Sequence, residues 1–215
     1  MTVDQVRELA FAVWTRAQLH AYLDRCPVGE RDQLLNERIR STGRSLLSTA
    51  VLKGDVDMVA LLTRYGADAR RLVDRDGITA AHRAAAMGRV DVLEALGFDA
   101  LVEASLPTGE RVLHYAASKG MVDVVNYLLD IGIDVDQLSF REGLTPLGTA
   151  VMSKQAAVAR LLIDRGADVN FDVATVVGGS AAKSAFALHR LIPFGDHPDL
   201  AGERVIIDVI FNSKK

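Results

Sequence analysis

A motif of about 33 residues is written four times along this chain, and no other feature restricts its fold as much. Internal repetition at that period means supersecondary units that cannot bury their apolar faces alone and must stack on one another. Four glycines open the copies, Gly43, Gly77, Gly109 and Gly143, separated by 34, 32 and 34 residues. Two positions after each stands Ser45, Thr79, Arg111 or Thr145, then apolar Leu47, Ala81, Leu113 or Leu147. The small pairs Ala50/Val51, Ala84/Ala85, Ala116/Ala117 and Ala150/Val151 follow at fixed offsets. A leucine with small residues three and four positions later is one face of a helix, and its small size lets another backbone come close.

A second helical face recurs in every copy. Val56, Met58, Val59 and Leu62 return as Val90, Val92, Leu93 and Leu96, as Val122, Val124, Val125 and Leu128, and as Ala156, Val158, Ala159 and Leu162. Gly54, Gly88 and Gly120 stand between the two helices, where a left-handed residue ends the first, and the fourth copy has Lys154 there. Gly66, Gly132 and Gly166 supply a further stop after the second helix. Each copy therefore reads turn, helix, turn, helix.

The segments GLTPLGTA (143–150), GITAAHRAA (77–85), GERVLHYAA (109–117) and LLIDRGADVN (161–170) carry a resemblance to the ankyrin repeat family, over residues 41–173. The resemblance implies an all-α solenoid of stacked helix-turn-helix units with repeats at 41–73, 74–106, 107–139 and 140–173. It also implies that Thr79, His82, His114 and Thr145 join successive turns by hydrogen bonds. Ser48 and Gly148 replace the family's His and Arg111 its Thr, so turn bonding is expected to be weaker around the first and fourth copies.

The flanks read as degenerate caps, residues 1–40 and 174–215 of one single domain, because terminal repeats turn one side to water. Residues 9–16 repeat the first-helix pattern through Leu9, Ala12 and Val13, and 17–25 read as a second helix. Residues 26–40 are an insertion in which a short helical turn is expected. At the other end Ser180, Ala182, Ala185 and Phe186 repeat the first-helix pattern, and a last helix is expected from about Pro198.

Composition removes several function classes. A formal net charge of -3 and a pI near 6.0 offer no general attraction to phosphate or anionic lipid, so neither nucleic acid nor a membrane is expected as partner. Cys26 is the sole cysteine, which suits a reducing compartment. Acidic Asp4 and Glu8 stand where a signal peptide needs positive charge, and no segment approaches the roughly 18 apolar residues of a span, so a cytoplasmic protein is expected. The use of 19 arginines against 6 lysines fits a GC-rich bacterial gene.

Enzymatic readings are weaker than the repeat. His82 and His114 occupy equivalent positions that turn bonding explains. His189 and His197 have no further ligands near them in sequence, and a metal site needs three or four. VVGGSAAKS (176–184) resembles a phosphate loop, but Ala182 and Val177 stand where its glycines belong. Cys26 has no evident base beside it. No catalytic residue, cofactor or metal is expected, although an enzyme built around Lys183, His189 and His197 remains an alternative, as does a self-assembling structural role.

What the repeats create is a surface. The resemblance implies a concave face whose variable places flank the opening glycine and follow the small pair. The residues expected to meet a partner there are Trp14, Arg44, Leu52, Lys53, Ile78, Met87, Glu110, Lys119, Leu144 and Met152. Trp14, Leu52, Ile78 and Met87 fall in the amino-terminal half, where large apolar side chains would act as a desolvated anchor; packing between adjacent helices is the other reading of them. The turn-tip pairs Arg75/Asp76 and Arg141/Glu142 read as solvated charges. With repeats and caps using almost the whole chain, the expectation is a monomeric stand-alone adaptor or inhibitor that binds another protein. Neutralisation of a bacterial toxin is one specific version.

Overall fold

The computed structural model describes residues 3–12, 14–70, 77–139 and 143–168. They form twelve helices, and the all-α class expected from the sequence is the one observed. Four helix pairs follow the four copies: α4 (Leu46–Lys53) with α5 (Val56–Arg64), α6 (Ala80–Ala86) with α7 (Val90–Leu96), α9 (Val112–Lys119) with α10 (Val122–Asp130), and α11 (Pro146–Met152) with α12 (Ala156–Asp164). Ahead of them lie α1 (Val3–Ala12), α2 (Arg16–Arg25) and α3 (Val28–Asn36), and α8 (Phe98–Glu103) follows α7. The chain divides between Pro107 and Thr108 into two compact units.

Within the first unit α4 packs on α6 and α5 on α7; within the second α9 packs on α11 and α10 on α12. First helices thus stack on first helices and second on second. Ala84 and Ala85 of α6 and Ala116 and Ala117 of α9 are fully buried, as the small-residue face requires. The leucines behind them, Leu47, Leu113 and Leu147, are at most 1% exposed, and each such burial contributes about 1.5–3 kcal/mol. On the second helices Val59, Leu62, Val92, Leu93, Val124, Val125, Leu128, Val158 and Leu162 are buried completely. Val56, Val90, Val122 and Ala156, read as part of the same face, are instead the first residues of their helices and stay partly open.

The same offsets that mark the repeat place the helix caps. Ser45, Thr79 and Thr145 accept hydrogen bonds from the amides of Ser48, His82 and Gly148 at 3.1, 3.4 and 3.1 Å, each relieving one of the unpaired amides of a helix start. Arg111, at the equivalent position, gives α9 no side-chain cap. At the other end Gly54 and Gly120 adopt φ of +67° and +73°, and Lys154 takes the same conformation at +58°. Lys154 is the one non-glycine residue with positive φ among the described residues.

The amino-terminal region departs from its sequence reading. The first helix begins at Val3, six residues before the expected start, and ends at Ala12, so Trp14 lies in a turn and not on a helix. Thr15 starts α2 through a reciprocal box: its hydroxyl accepts from Gln18 N–H, and Gln18 Oε1 accepts from Thr15 N–H at 2.8 Å. The insertion holds a nine-residue helix, α3, where a short turn was expected, because Leu34 and Leu35 are buried at 1% exposure and Arg7 closes its end. Arg7, 2% exposed on α1, donates to the carbonyls of Leu34 and Gln33 at 3.1 and 2.5 Å and pairs with Glu37 at 3.0 Å. A guanidinium at a helix carboxy terminus meets both its unpaired carbonyls and its negative dipole. Val13, the side chains of Leu9 and Ala12, and the whole carboxy-terminal cap lie outside the described residues.

Candidate functional site

In the first unit the loop between α1 and α2 rises beside α4, and a hollow of about 230 Å³ opens between them. Its floor is apolar: Ala10 of α1, Leu19 of α2, Leu46 and Ala50 of α4 and Leu62 of α5 are all buried. Trp14 and Lys53 stand at its edge together with Thr49, Asp55 and Met58. Arg16 forms an ion pair with Asp57 across the same side, tying α2 to α5. The Trp14 ring packs at 5.1 Å and 55° on Tyr22, a tilted geometry typical of favourable aromatic pairs. On its far side Trp14 faces a second, more open groove of about 600 Å³ with Tyr22, Cys26 and Pro27. Trp14 is therefore a wall shared by two depressions.

The structure brings Trp14 and Lys53 to one hollow and leaves the other expected contacts of this unit outside its lining. Leu52, one residue before Lys53 on α4, is half-buried, as is Ile78. Met87, the residue that ends α6, is 41% exposed, and Arg44 before α4 is exposed. Large apolar groups in this state keep surface for a partner while losing little freedom on contact.

In the second unit Met152, the last residue of α11, is 55% exposed. Lys119 ends α9 with its ammonium 5.3 Å above the Tyr115 ring, a cation–π arrangement that fixes its direction. Glu110 is half-buried and accepts from the Thr108 hydroxyl at 3.1 Å. Leu144 is only 7% exposed, so it serves the core beside Thr145 and offers almost no surface. Arg75, Asp76, Arg141 and Glu142 lie outside the described residues.

The two repeat histidines are structural. His82 is fully buried with its Nδ1 2.7 Å from the Thr79 hydroxyl. His114, also fully buried, bonds the Leu144 carbonyl of the next copy through Nε2 at 2.8 Å. Burial drives its pKa down to about 4, against the pull of that carbonyl, and the nearby Arg111 charge adds to the fall. A neutral, enclosed imidazole is unsuited to proton transfer with a substrate. Its Nδ1 has no hydrogen-bond partner, since Arg111 replaces the threonine that Nδ1 of His82 meets. Cys26 is buried. No group of three or more metal-ligating side chains converges among the described residues, and no described helix is long and apolar enough to cross a membrane. Lys183, His189, His197 and the 176–184 segment lie outside the described residues.

Cross-copy ties that the repeat pattern does not announce hold these surfaces in place. Arg89 donates to the Gly54 carbonyl at 3.1 Å and Gln155 to that of Ser118 at 3.4 Å, each spanning two first-helix ends within its unit. Asn36 clamps the turn after α5, donating to Gly66 O at 3.2 Å and accepting from Asp68 N–H at 2.7 Å. Asp136 accepts from Asp168 N–H at 3.0 Å, and Arg165 bonds both Asn126 and Asp130 at 2.5 Å. The residue types are ordinary surface ones, so only the copy-to-copy register would have pointed to them.

Comparison with known proteins gives the same assignment. A family model described as ankyrin repeats in three copies matches residues 96–172, and one described as ankyrin repeats in many copies matches 47–96, so the two together cover more than half of the chain. The mouse B-cell lymphoma 3 protein homolog is 31% identical over 183 residues, 82% of this chain and 39% of that protein. The NF-kappa-B inhibitor cactus of Drosophila melanogaster is 30% identical over 82 residues, 38% of this chain and 16% of that protein. The chain thus spans well under half the length of these relatives. Both come from animals, and nothing in them supports the bacterial source expected from arginine usage. The crystal structure of the ankyrin repeat domain of Bcl-3, described as a member of the IkappaB protein family, superposes with a TM-score of 0.72 at 25% identity, over 99% of this chain and 86% of that one. On its repeat register, its paired helices and these matches, the chain belongs to the ankyrin repeat family.

Proposed function

We propose that the chain is a non-enzymatic protein-binding module, an adaptor or inhibitor that docks a partner protein on the first-helix faces of its repeats. In this reading residues 41–173 are the four repeats, and 1–40 and 174–215 cap them within one domain. It acts in the cytoplasm as a monomer, and its mild negative charge opposes a nucleic-acid or membrane partner. The observation that carries the reading is the Trp14 hollow: an aromatic side chain at the edge of an apolar floor, with half-buried Leu52 and exposed Met87 on the neighbouring first helices. Interfaces concentrate their energy in such large apolar groups set in sheltered positions. Likeness to a protein named as an inhibitor supports the inhibitory version, which includes neutralisation of a toxin. Arg44 and Lys53 would add contacts in the first unit, and Glu110, Lys119 and Met152 would supply those of the second. The test is affinity capture from native lysate with the wild-type chain, Leu52→Glu, Met87→Glu and Arg160→Glu, the last on an exposed position of a second helix. A protein retained by wild type and Arg160→Glu but lost by both glutamate variants on the first-helix face supports the proposal; a protein retained equally by all four contradicts it.

A further inference from the structure

The loop between α3 and α4 combines dense positive charge with one exposed hydroxyl. Over residues 37–44, ERIRSTGR, Arg38, Arg40, Ser41 and Arg44 are exposed while Ile39 is fully buried. The loop closes on itself, Ile39 N–H donating to Arg44 O and Gly43 N–H to Ile39 O, both at 2.7 Å. That closure presents Ser41 at the tip. The Ser41 hydroxyl donates to Glu8 Oε2 at 2.7 Å and its amide to Oε1 at 3.0 Å, so Ser41 engages both carboxylate oxygens of Glu8 on α1, with the Arg40 amide beside it. Neighbouring Thr42 is half-buried, and its hydroxyl accepts from Arg44 N–H at 3.3 Å, inside the loop.

We propose that Ser41 is a phosphorylation site whose modification loosens α1 from the first unit. Arginines one and three residues before an exposed serine, and a third three residues after it, form the flank that a serine/threonine kinase with an acidic peptide groove selects, since guanidinium groups pair bidentately with carboxylates. In the transfer the γ-phosphorus of ATP bonds to Ser41 Oγ as its bond to the β–γ bridging oxygen breaks; ADP departs and the hydroxyl proton passes to the kinase's base and solvent. The product carries about -1.5 to -2 charge at neutral pH. The group that donated a proton to Glu8 becomes an anion set against it, while Arg40 and Arg44 on the same tip supply charge-assisted partners that draw the phosphate away. Glu8 then loses its hydroxyl partner and keeps only backbone amides of the loop, Ser41 N–H and that of Arg40, while Arg7 still holds α1 to the carbonyls of Gln33, Leu34 and Arg38 and to Glu37. Since Ala10 of α1 lies in the floor of the Trp14 hollow, loosening α1 also disturbs that floor.

The full chain, its Ser41→Ala variant and its Glu8→Gln variant are treated with ATP and an arginine-directed serine/threonine kinase whose activity is verified on a control peptide. Fragment masses locate the phosphate, and hydrogen exchange reports α1. The expected result is a single phosphate on Ser41, absent in Ser41→Ala, with α1 amides exchanging on the order of tenfold faster after modification. In Glu8→Gln the phosphate should add a smaller acceleration, because the repulsion is gone. An unmodified Ser41, phosphate on Thr42 instead, or phosphorylated Ser41 with α1 exchange within about twofold of the untreated chain would overturn the proposal.

Discussion

Lys154→Gly should stabilise the second unit, and the structure sets the size of the gain. Lys154 holds φ of +58° at the end of α11, where the matching positions Gly54 and Gly120 hold +67° and +73°. A side chain in that region costs about 1–2 kcal/mol through the clash of Cβ with the following carbonyl. Glycine removes the clash but has more freedom to lose on folding, which returns about 0.5–1 kcal/mol. The net gain is about 0.5–1 kcal/mol, or roughly 1–4 °C in melting temperature for a chain of this length. Backbone bonds of the turn, Lys154 N–H to Val151 O at 3.0 Å and Gln155 N–H to Ala150 O at 2.8 Å, survive the change. Lys154→Ala separates the two contributions of the lysine: it deletes the side chain beyond Cβ and keeps the strain. Thermal unfolding followed by circular dichroism, with hydrogen exchange of α11 and α12 to localise the effect, should place glycine above alanine. Glycine melting at or below alanine would refute the strain argument.

Further perturbations probe other parts of the molecule. Arg7→Met leaves the carbonyl end of α3 without its donor, and at about 1–3 kcal/mol for each buried group unsatisfied it should raise exchange in α1 and α3 while leaving the second unit unchanged. His114 should make stability pH-dependent. Its pKa falls from 6.5 to about 4 on folding, so the unfolded chain binds more protons between those values; stability is full above pH 6.5 and declines as pH drops toward 4, by up to about 3 kcal/mol. A His114→Gln variant should flatten that part of the melting-temperature profile, whatever its own stability. Leu52→Glu and Met87→Glu should each weaken partner binding by about 2 kcal/mol or more through burial of an unpaired carboxylate, with unchanged circular dichroism, as measured by calorimetric titration.

The repeat was legible because its determinants are local. Ser45, Thr79 and Thr145 cap the helix that starts one residue later, Gly54 and Gly120 end it, and the small pairs recur at a fixed offset, so a single copy carries its own instructions. Even the strained Lys154 could be read, since its exception is visible against three glycines. The region before the first repeat resisted reading because its order comes from distant partners. Arg7 meets residues 26 to 31 positions away, which no periodicity encodes. Without that clamp in view, residues 26–40 read as an insertion with only a short helical turn, and Trp14 reads as part of the first helix, whereas that helix ends at Ala12. The short helix α8 has a related cause: Gly97, at φ +85° and ψ 157°, ends α7 and starts a new direction in the same step. As for the candidate surface, register selected Lys53 and Met87, which are exposed, but it also selected Leu144, whose burial depends on packing beside the His114 bond to its carbonyl.

The central claim is that a protein docks on the first-helix faces, led by the Trp14 hollow. The most direct measurement is hydrogen exchange with side-chain labelling on the captured complex, compared residue by residue with the free chain. Protection is expected of Trp14, of the α4 end through Leu52 and Lys53, of the start of α5 at the edge of the hollow, and of Met87, with α7 unchanged. Protection confined to α7, or a complex in which Trp14 labels as fast as in the free chain, would contradict the claim.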